Sequence, residues 1–193
     1  GNTHVKLGYV KNGVIAQVKR FNMSTFPWGT LQGNIPVLIS SVITDEWKRS
    51  LEDFFQNLVY ISVHMKLPFQ LAYQTPETLG IDRLCNIGGI AMKNQGMSRL
   101  IVDLGTCIKF DFLGANQVYE GGSISPGLNM RAKALNAFTA KLPLVPLSVS
   151  TKLTGKSTRE SIESGVFHGW VAEISQMIQY YQTQFPDLVV YLT

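Results

Sequence analysis

Asp103-Leu104-Gly105-Thr106, at the end of the apolar run Leu100-Ile101-Val102, is the set of residues in this chain best suited to chemistry. An apolar strand ends in a carboxylate, a glycine turns the backbone, and a hydroxyl follows three residues after the acid. Such a turn holds a polyphosphate and a cation without a Walker loop. The glycine lets backbone N–H groups approach phosphate oxygens, Thr106 donates a hydrogen bond, and Asp103 meets the metal or its waters. A shorter echo, Gly1-Asn2-Thr3, opens the chain, again ahead of strand-like sequence. Two such turns suggest two related halves closing on one nucleotide. Taken alone, Asp-x-Gly-Thr is more often a plain turn, because Asp and Gly are favoured there.

A second cluster is Leu79-Gly80-Ile81-Asp82-Arg83-Leu84-Cys85-Asn86. An acid and a guanidinium stand side by side at a helix start, after a glycine. Asp82 could serve as a general base toward a substrate hydroxyl, and Arg83 could hold a carboxylate or phosphate. A helix-start Asp that only stabilises the dipole fits equally well. Tyr73 is a candidate pocket wall; alone, a tyrosine is more often core. Asp111 reads as a structural acid that needs a partner, with a cation role as the lesser alternative. Thr154-Gly155-Lys156-Ser157-Thr158 looks like a Walker A loop, but Ser150 stands where the first glycine belongs. The segment reads better as a helix N-terminus, where Thr158 offers a hydroxyl to an anionic or polar ligand or is part of a plain N-cap. His4, His64 and His168 are dispersed and form no catalytic or metal-binding set.

These residues need elements to position them. The pattern predicts strands over 4–10 and 14–21 joined at Lys11-Asn12-Gly13, and a buried parallel strand over 35–41. It predicts a helix over 44–57 with Trp47, Leu51, Phe54, Phe55 and Leu58 on one face, then a short strand over 59–63. A loop over 68–80 leads to a helix over 81–93. The order then repeats, with strands over 100–103, 107–113 and 117–124, a helix over 128–138 and a loop over 139–153. A long helix runs to about 183 with Ile162, Val166, Trp170, Ile174, Met177, Ile178 and Tyr181 on one stripe, and a strand over 188–192 ends the pattern. The expected fold class is α/β: two ribonuclease-H-like halves, residues 1–97 and 98–193, each a mixed sheet flanked by helices.

Composition agrees with a folded, nucleotide-using protein. Of 193 residues, 45% are hydrophobic and 16% charged, enough for a core and against disorder. The net charge of +4 suits an anionic substrate. The basic residues form no run, so nucleic acid is not an expected partner. No apolar stretch approaches about 18 residues, so no membrane span is expected. Cys85 and Cys107 lack a CxxC or a His partner at metal spacing and read as small buried thiols of a reducing cytoplasm. No signal peptide is visible. The chain starts inside a motif and stops on a rising strand, so further residues are expected at each end.

Together these segments resemble type III pantothenate kinases, of the actin-like ATPase superfamily that includes acetate and sugar kinases. The resemblance spans nearly the whole chain, in order. Gly1-Asn2-Thr3-His4-Val5-Lys6 matches the end of the family's D-x-G-N-T-x-x-K, and Ser40-Ser41-Val42 its S-S-V. Tyr73, Pro76 and Leu79-Gly80-Ile81-Asp82-Arg83 match Y…P…L-G-x-D-R, and Asp103 to Thr106 match D-x-G-T. Gly121-Gly122-Ser123-Ile124-Ser125-Pro126-Gly127 matches G-G-x-I-x-P-G, and Thr139-Ala140-Lys141-Leu142-Pro143 matches T-A-x-L-P. Gly155-Lys156-Ser157-Thr158 with Ser161-Ile162-Glu163-Ser164-Gly165 matches G-x-[NS]-T…[AS]-I-x-x-G.

The resemblance implies an ATP-dependent kinase that phosphorylates the primary hydroxyl of pantothenate, the first step of coenzyme A biosynthesis. Asp82 would be the general base. Tyr73, Gly80, Ile81, Asp82, Arg83 and Thr158 would line the pantothenate site. Gly1, Asn2, Thr3, His4, Val5, Lys6 and Thr106 would hold ATP, accompanied by magnesium, and Asp103 would bind a monovalent cation, potassium or ammonium. A homodimer with substrate pockets near the subunit interface is implied. Three departures stand out. The Asp that should precede Gly1 and the Gly-Gly expected after Thr193 are absent from the sequence, and Cys107-Ile108-Lys109 stands where the family usually has small and hydroxyl residues. Lys109 adds a charge beside the phosphate turn that could bind phosphate or perturb the cation site. The alternative function is a non-catalytic regulator on the same fold, a transcription accessory factor. Against it, the chain keeps both Asp82 and Asp103 and has no basic stripe.

Overall fold

The spacing of apolar residues produces two kinds of sheet in this chain. The structure, a computed structural model, describes residues 4–31, 33–40, 45–147 and 152–193. It divides into two compact units, Gly1–Met65 with Gly80–Asp82, and Lys66–Leu79 with Arg83–Thr193.

In the first unit, β1 (His4–Lys11) and β2 (Val14–Asn22) form an antiparallel hairpin. Its turn residues Asn12 and Gly13 both have positive φ, 54° and 75°. That left-handed pair matches the twist of the strands and is why Asn-Gly favours this turn. β3 (Pro36–Ile39), α1 (Asp45–Phe54) and β4 (Asn57–Tyr60) follow, with β3 and β4 paired in parallel. Trp47, Leu51 and Phe54 share one face of α1. Trp47 and Phe54 meet Phe26 and Trp28 at ring-centroid distances of 5.2–5.4 Å. The parallel pairing of β3 agrees with its apolar run, but the expected burial does not hold. Leu38 is 62% and Val59 50% exposed, because only alternate residues of this two-stranded pair are covered. Ser41 and Thr44 lie outside the described residues.

β5 (Gln70–Leu71) lies within the expected loop, too short to leave a pattern in sequence. α2 (Ile81–Ala91), β6 (Arg99–Leu104), β7 (Cys107–Leu113), β8 (Val118–Pro126), α3 (Leu128–Ala137), α4 (Thr158–Gln184) and β9 (Val189–Leu192) complete the chain. Five strands form a mixed sheet in the order β5-β8-β7-β6-β9. β6, β7 and β8 are consecutive and antiparallel, while β9 runs parallel to β6 and β5 parallel to β8. The architecture is mixed α/β.

The period of two along β6 and β7 separates core from chemistry. Leu100, Val102, Ile108, Phe110 and Phe112 point one way and form a core covered by Trp170, Ile174, Met177, Ile178 and Tyr181 of α4. Ile101, Asp103, Lys109 and Asp111 point the other way, toward α2. Arg99 fixes the pose of that helix. It is fully buried, and its guanidinium donates to the carbonyls of Ala91 (3.0 Å) and Lys93 (2.9 Å) at the end of α2 and of Gly114 (3.2 Å) after β7.

Candidate active site

Two clusters of the second unit carry the candidate chemistry: the group around Arg83, held between α2, β7 and β8, and the turn where β6 passes into β7. Asp82 stands in the first turn of α2, where unpaired N–H groups and the helix dipole favour a carboxylate. Adjacent helix residues lie about 100° apart, so Asp82 faces solvent while Arg83 is buried against the sheet.

Arg83 is held by Asp111 on β7. Asp111 Oδ1 accepts from Arg83 Nε at 2.8 Å and lies 2.6 Å from Nη2; their side chains are 0% and 5% exposed. The same oxygen accepts from the Tyr119 hydroxyl at 2.6 Å. Asp111 Oδ2 is buried and has no hydrogen-bond partner among the described residues. Tyr73 closes the group: its hydroxyl lies 3.5 Å from Arg83 Nη1, its ring 5.6 Å from the guanidinium carbon, and it stacks on Tyr119 at 6.0 Å. Burial alone would lower the Arg83 pKa, but the hydrogen bond and charge of Asp111 outweigh it and hold it above its ordinary value. Burial, then Asp111, push the Tyr119 phenol up. Gly121 makes this packing possible. Its φ of +107° is a glycine conformation, and a Cβ there would sit 3.3 Å from the Tyr73 ring.

The Asp103 turn is braced from the side. A Cβ on Gly127 would lie 2.3 Å from the Thr106 carbonyl oxygen and 2.6 Å from that of Gly105, and the Gly127 N–H donates to Thr106 at 3.1 Å. The final glycine of the G-G-x-I-x-P-G run therefore lets the start of α3 seat on the phosphate-type turn. Gly105 and Thr106 are exposed, leaving the turn open to a ligand. Asp103 faces Lys109 directly across the β6–β7 pair, with Nζ 2.6 Å from Oδ2.

Gly155 to Thr158 is a helix cap. Ser157 accepts from the Glu160 N–H at 3.2 Å, and Glu160 accepts from the Lys156 N–H at 2.7 Å. Gly155 packs on the first turn of α4, where a Cβ would meet Ser161 N at 2.3 Å. Thr158 is exposed at an apolar cleft of about 740 Å³ between α3 and α4, with Arg131, Leu135, Phe138, Ile162 and Val166. Neither Tyr73 nor Arg83 lines this cleft. Arg131 and Glu173 form an ion pair that ties the two helices.

The remaining sequence candidates divide simply. His4, Val5 and Lys6 lie on β1, Val5 half-buried and Lys6 exposed; Gly1, Asn2 and Thr3 lie outside the described residues, as do Ser41 and Val42. Among the described residues neither Cys85 nor Cys107 forms a disulfide, and both are half-buried rather than buried, Cys107 lying beside Met130 with 3.8 Å between sulfurs.

The model of the family described as type III pantothenate kinase matches residues 1–180. The chain belongs to this family. The type III pantothenate kinase of Cytophaga hutchinsonii is 40% identical over 195 residues, covering 100% of this chain and 83% of that protein. That of Phocaeicola vulgatus is 37% identical, covering 100% and 82%. Among solved structures, one described as a Baf family transcriptional activator from Campylobacter jejuni superposes with a TM-score of 0.61. It has 20% identity and covers 98% of this chain and 87% of the other, a likeness of fold.

In this type III pantothenate kinase family member, the sequence singles out Asp82, Arg83, Tyr73 and Asp103 as candidates but not the partners that hold Arg83 and Asp103. Asp111 was identified as an acid in need of a partner, without Arg83 as that partner. Tyr119 carried no signal of its own. The Asp103–Lys109 pair was available from the hairpin: with a short turn after Leu104, residues 103 and 109 fall opposite each other.

Proposed function

We propose that this protein transfers the γ-phosphoryl group of ATP to the primary hydroxyl of pantothenate, giving 4'-phosphopantothenate for coenzyme A biosynthesis. Family membership supports the reaction. The observation that carries the site is the Asp82-Arg83 pair at the start of α2, with Arg83 locked by Asp111 and Tyr119. The pantothenate oxygen bonds to the γ-phosphorus, the bond to the ADP oxygen breaks, and the hydroxyl proton passes to Asp82. A base acting late in phosphoryl transfer needs orientation more than a high pKa. Arg83, charged and fixed, is suited to the pantothenate carboxylate, and Tyr73 forms the wall beside it. Thr106, on an open turn, is suited to ATP phosphates, with Gly1 to Lys6 as the second phosphate element and magnesium arriving on the nucleotide. This assignment goes with two related halves of the actin-like ATPase type, residues 1–97 and 98–193, and with a cytoplasmic enzyme; no described helix is long and apolar enough to cross a membrane.

The enzyme acts as a homodimer in this reading. Thr158 opens on a cleft that Tyr73 and Arg83 do not share. Phe138 is 88% and Leu153 77% exposed, and Phe138 lines that cleft. A second copy covering this apolar surface would bring Thr158 of one protomer toward the substrate residues of its partner. The apolar stripe of α4 from Trp170 to Tyr181 is used inside the protomer, against the sheet.

Mass spectrometry after incubation with ATP and pantothenate tests the reaction. A new species one phosphoryl group heavier than pantothenate, formed with ADP, is expected. ATP turnover without that species would remove the assignment and favour the regulator reading.

A further inference from the structure

The cation expected at Asp103 meets a carboxylate that the chain has already neutralised. Asp103 Oδ2 accepts from Lys109 Nζ at 2.6 Å, and Asn86 Nδ2 lies 3.5 Å from the same oxygen. Both neighbours are hydrogen-bond donors. A potassium ion on that oxygen needs a shell of oxygen ligands; here it would find an ammonium and an amide N–H, and the ammonium would repel it. Oδ1 turns toward Gly105, where even a Cβ would stand 3.3 Å away. The pair is also well placed to persist. Asp103 and Lys109 are opposite residues of adjacent strands, with side chains only 19% and 15% exposed, so salt screens them weakly. The residues present do not fit a free monovalent cation on Asp103 Oδ2.

We propose that the Lys109 ammonium serves as a tethered cation, replacing free potassium or ammonium beside the phosphate turn. It carries the same single positive charge as those ions. It is delivered by β7, the strand that leaves the Gly105-Thr106 turn, so it stands on the ligand side of the hairpin without a binding equilibrium of its own. Lys109 is then a positioning residue: it fixes Asp103 and supplies the positive charge that lets a polyanion approach the turn. The inference rests on the kinase reading above, in which ATP phosphates occupy this turn.

The test compares potassium, ammonium, sodium and choline chlorides at constant ionic strength, for the wild-type protein and for Lys109→Thr and Lys109→Gln. Two quantities are read: phosphopantothenate formation at low ATP, and Tm without substrates. Wild-type rates should agree within about twofold across the salts, with no potassium-specific change in Tm. Both variants should lose about ten- to hundredfold in choline, the scale for deleting one charge-stabilising donor. Lys109→Thr should regain most of that loss in potassium, through a higher apparent affinity for ATP, and gain a potassium-specific rise in Tm. A wild-type rate that falls tenfold without potassium would overturn the inference, as would variants indifferent to both the substitution and the salt. If the wild type forms no phosphopantothenate in any salt, the kinase reading fails separately. Tm then decides: a potassium-specific rise in the wild type overturns the tethered cation, and one confined to Lys109→Thr supports it.

Discussion

Replacing Asp111 with Asn removes one charge and almost no volume, at the point where the candidate site is most deeply buried. In the native protein a single oxygen, Oδ1, accepts from Arg83 Nε at 2.8 Å and from the Tyr119 hydroxyl at 2.6 Å, and lies 2.6 Å from Arg83 Nη2 in the ion pair. With side chains 0% and 5% exposed, solvent cannot take over the role of the lost carboxylate. Removing one partner of a buried ion pair costs about 3–5 kcal/mol, chiefly because the other charge is left in low dielectric. The Asn carbonyl still accepts from Arg83, so the lower end, about 3 kcal/mol, is expected. That is roughly two orders of magnitude in the folding equilibrium. Urea unfolding by circular dichroism should show a lower midpoint with an unchanged slope. Arg83→Met combined with Asp111→Leu removes both charges and should recover much of the lost stability while abolishing turnover. A midpoint for Asp111→Asn equivalent to less than about 1 kcal/mol of destabilisation would refute the claim that a buried charge pair holds Arg83.

Gly127→Ala places a methyl group against two backbone carbonyls, at 2.3 and 2.6 Å, that cannot rotate away. It should cost about 1–3 kcal/mol and raise KM for ATP more than KM for pantothenate, as steady-state kinetics can show. Burial and Asp111 raise the Tyr119 pKa above its unfolded value. The stability it contributes is therefore complete below the ordinary tyrosine value of about 10 and lost as pH rises above it. A Tm series should stay flat to that point and then fall more steeply for the wild type than for Tyr119→Phe. Light scattering at micromolar concentration should give a dimer burying well over about 1,000 Å², and Phe138→Glu should dissociate it; a fully active monomer would refute the shared site.

The sequence carried the strands and helices of 99–193 closely, because each has an unambiguous period: two along β6 and β7, and about 3.6 along α4. It placed the Asn-Gly hairpin and the α4 cap for the same local reason. It overstated the burial of β3, since an apolar run reports a buried strand only if both faces are covered. Asp82 and Arg83 stood out as an adjacent acid and base after a glycine, but their different fates depend on the rotation of α2 against the sheet. Asp111 and Tyr119, brought to Arg83 from β7 and β8, are tertiary partners that no local pattern announces. The role of Gly127 was hidden likewise: its value lies in a backbone approach between residues about twenty apart.

The most direct test is the turnover of Asp82→Asn with ATP and pantothenate, measured beside the affinity for ATP. The change is nearly isosteric and lies on an exposed residue of the first turn of α2, so folding should be preserved. As the general base, Asp82 should account for roughly two to four orders of magnitude in kcat, with the dissociation constant for ATP nearly unchanged. Turnover within about threefold of the wild type would contradict the account and return Asp82 to the role of a helix-start carboxylate.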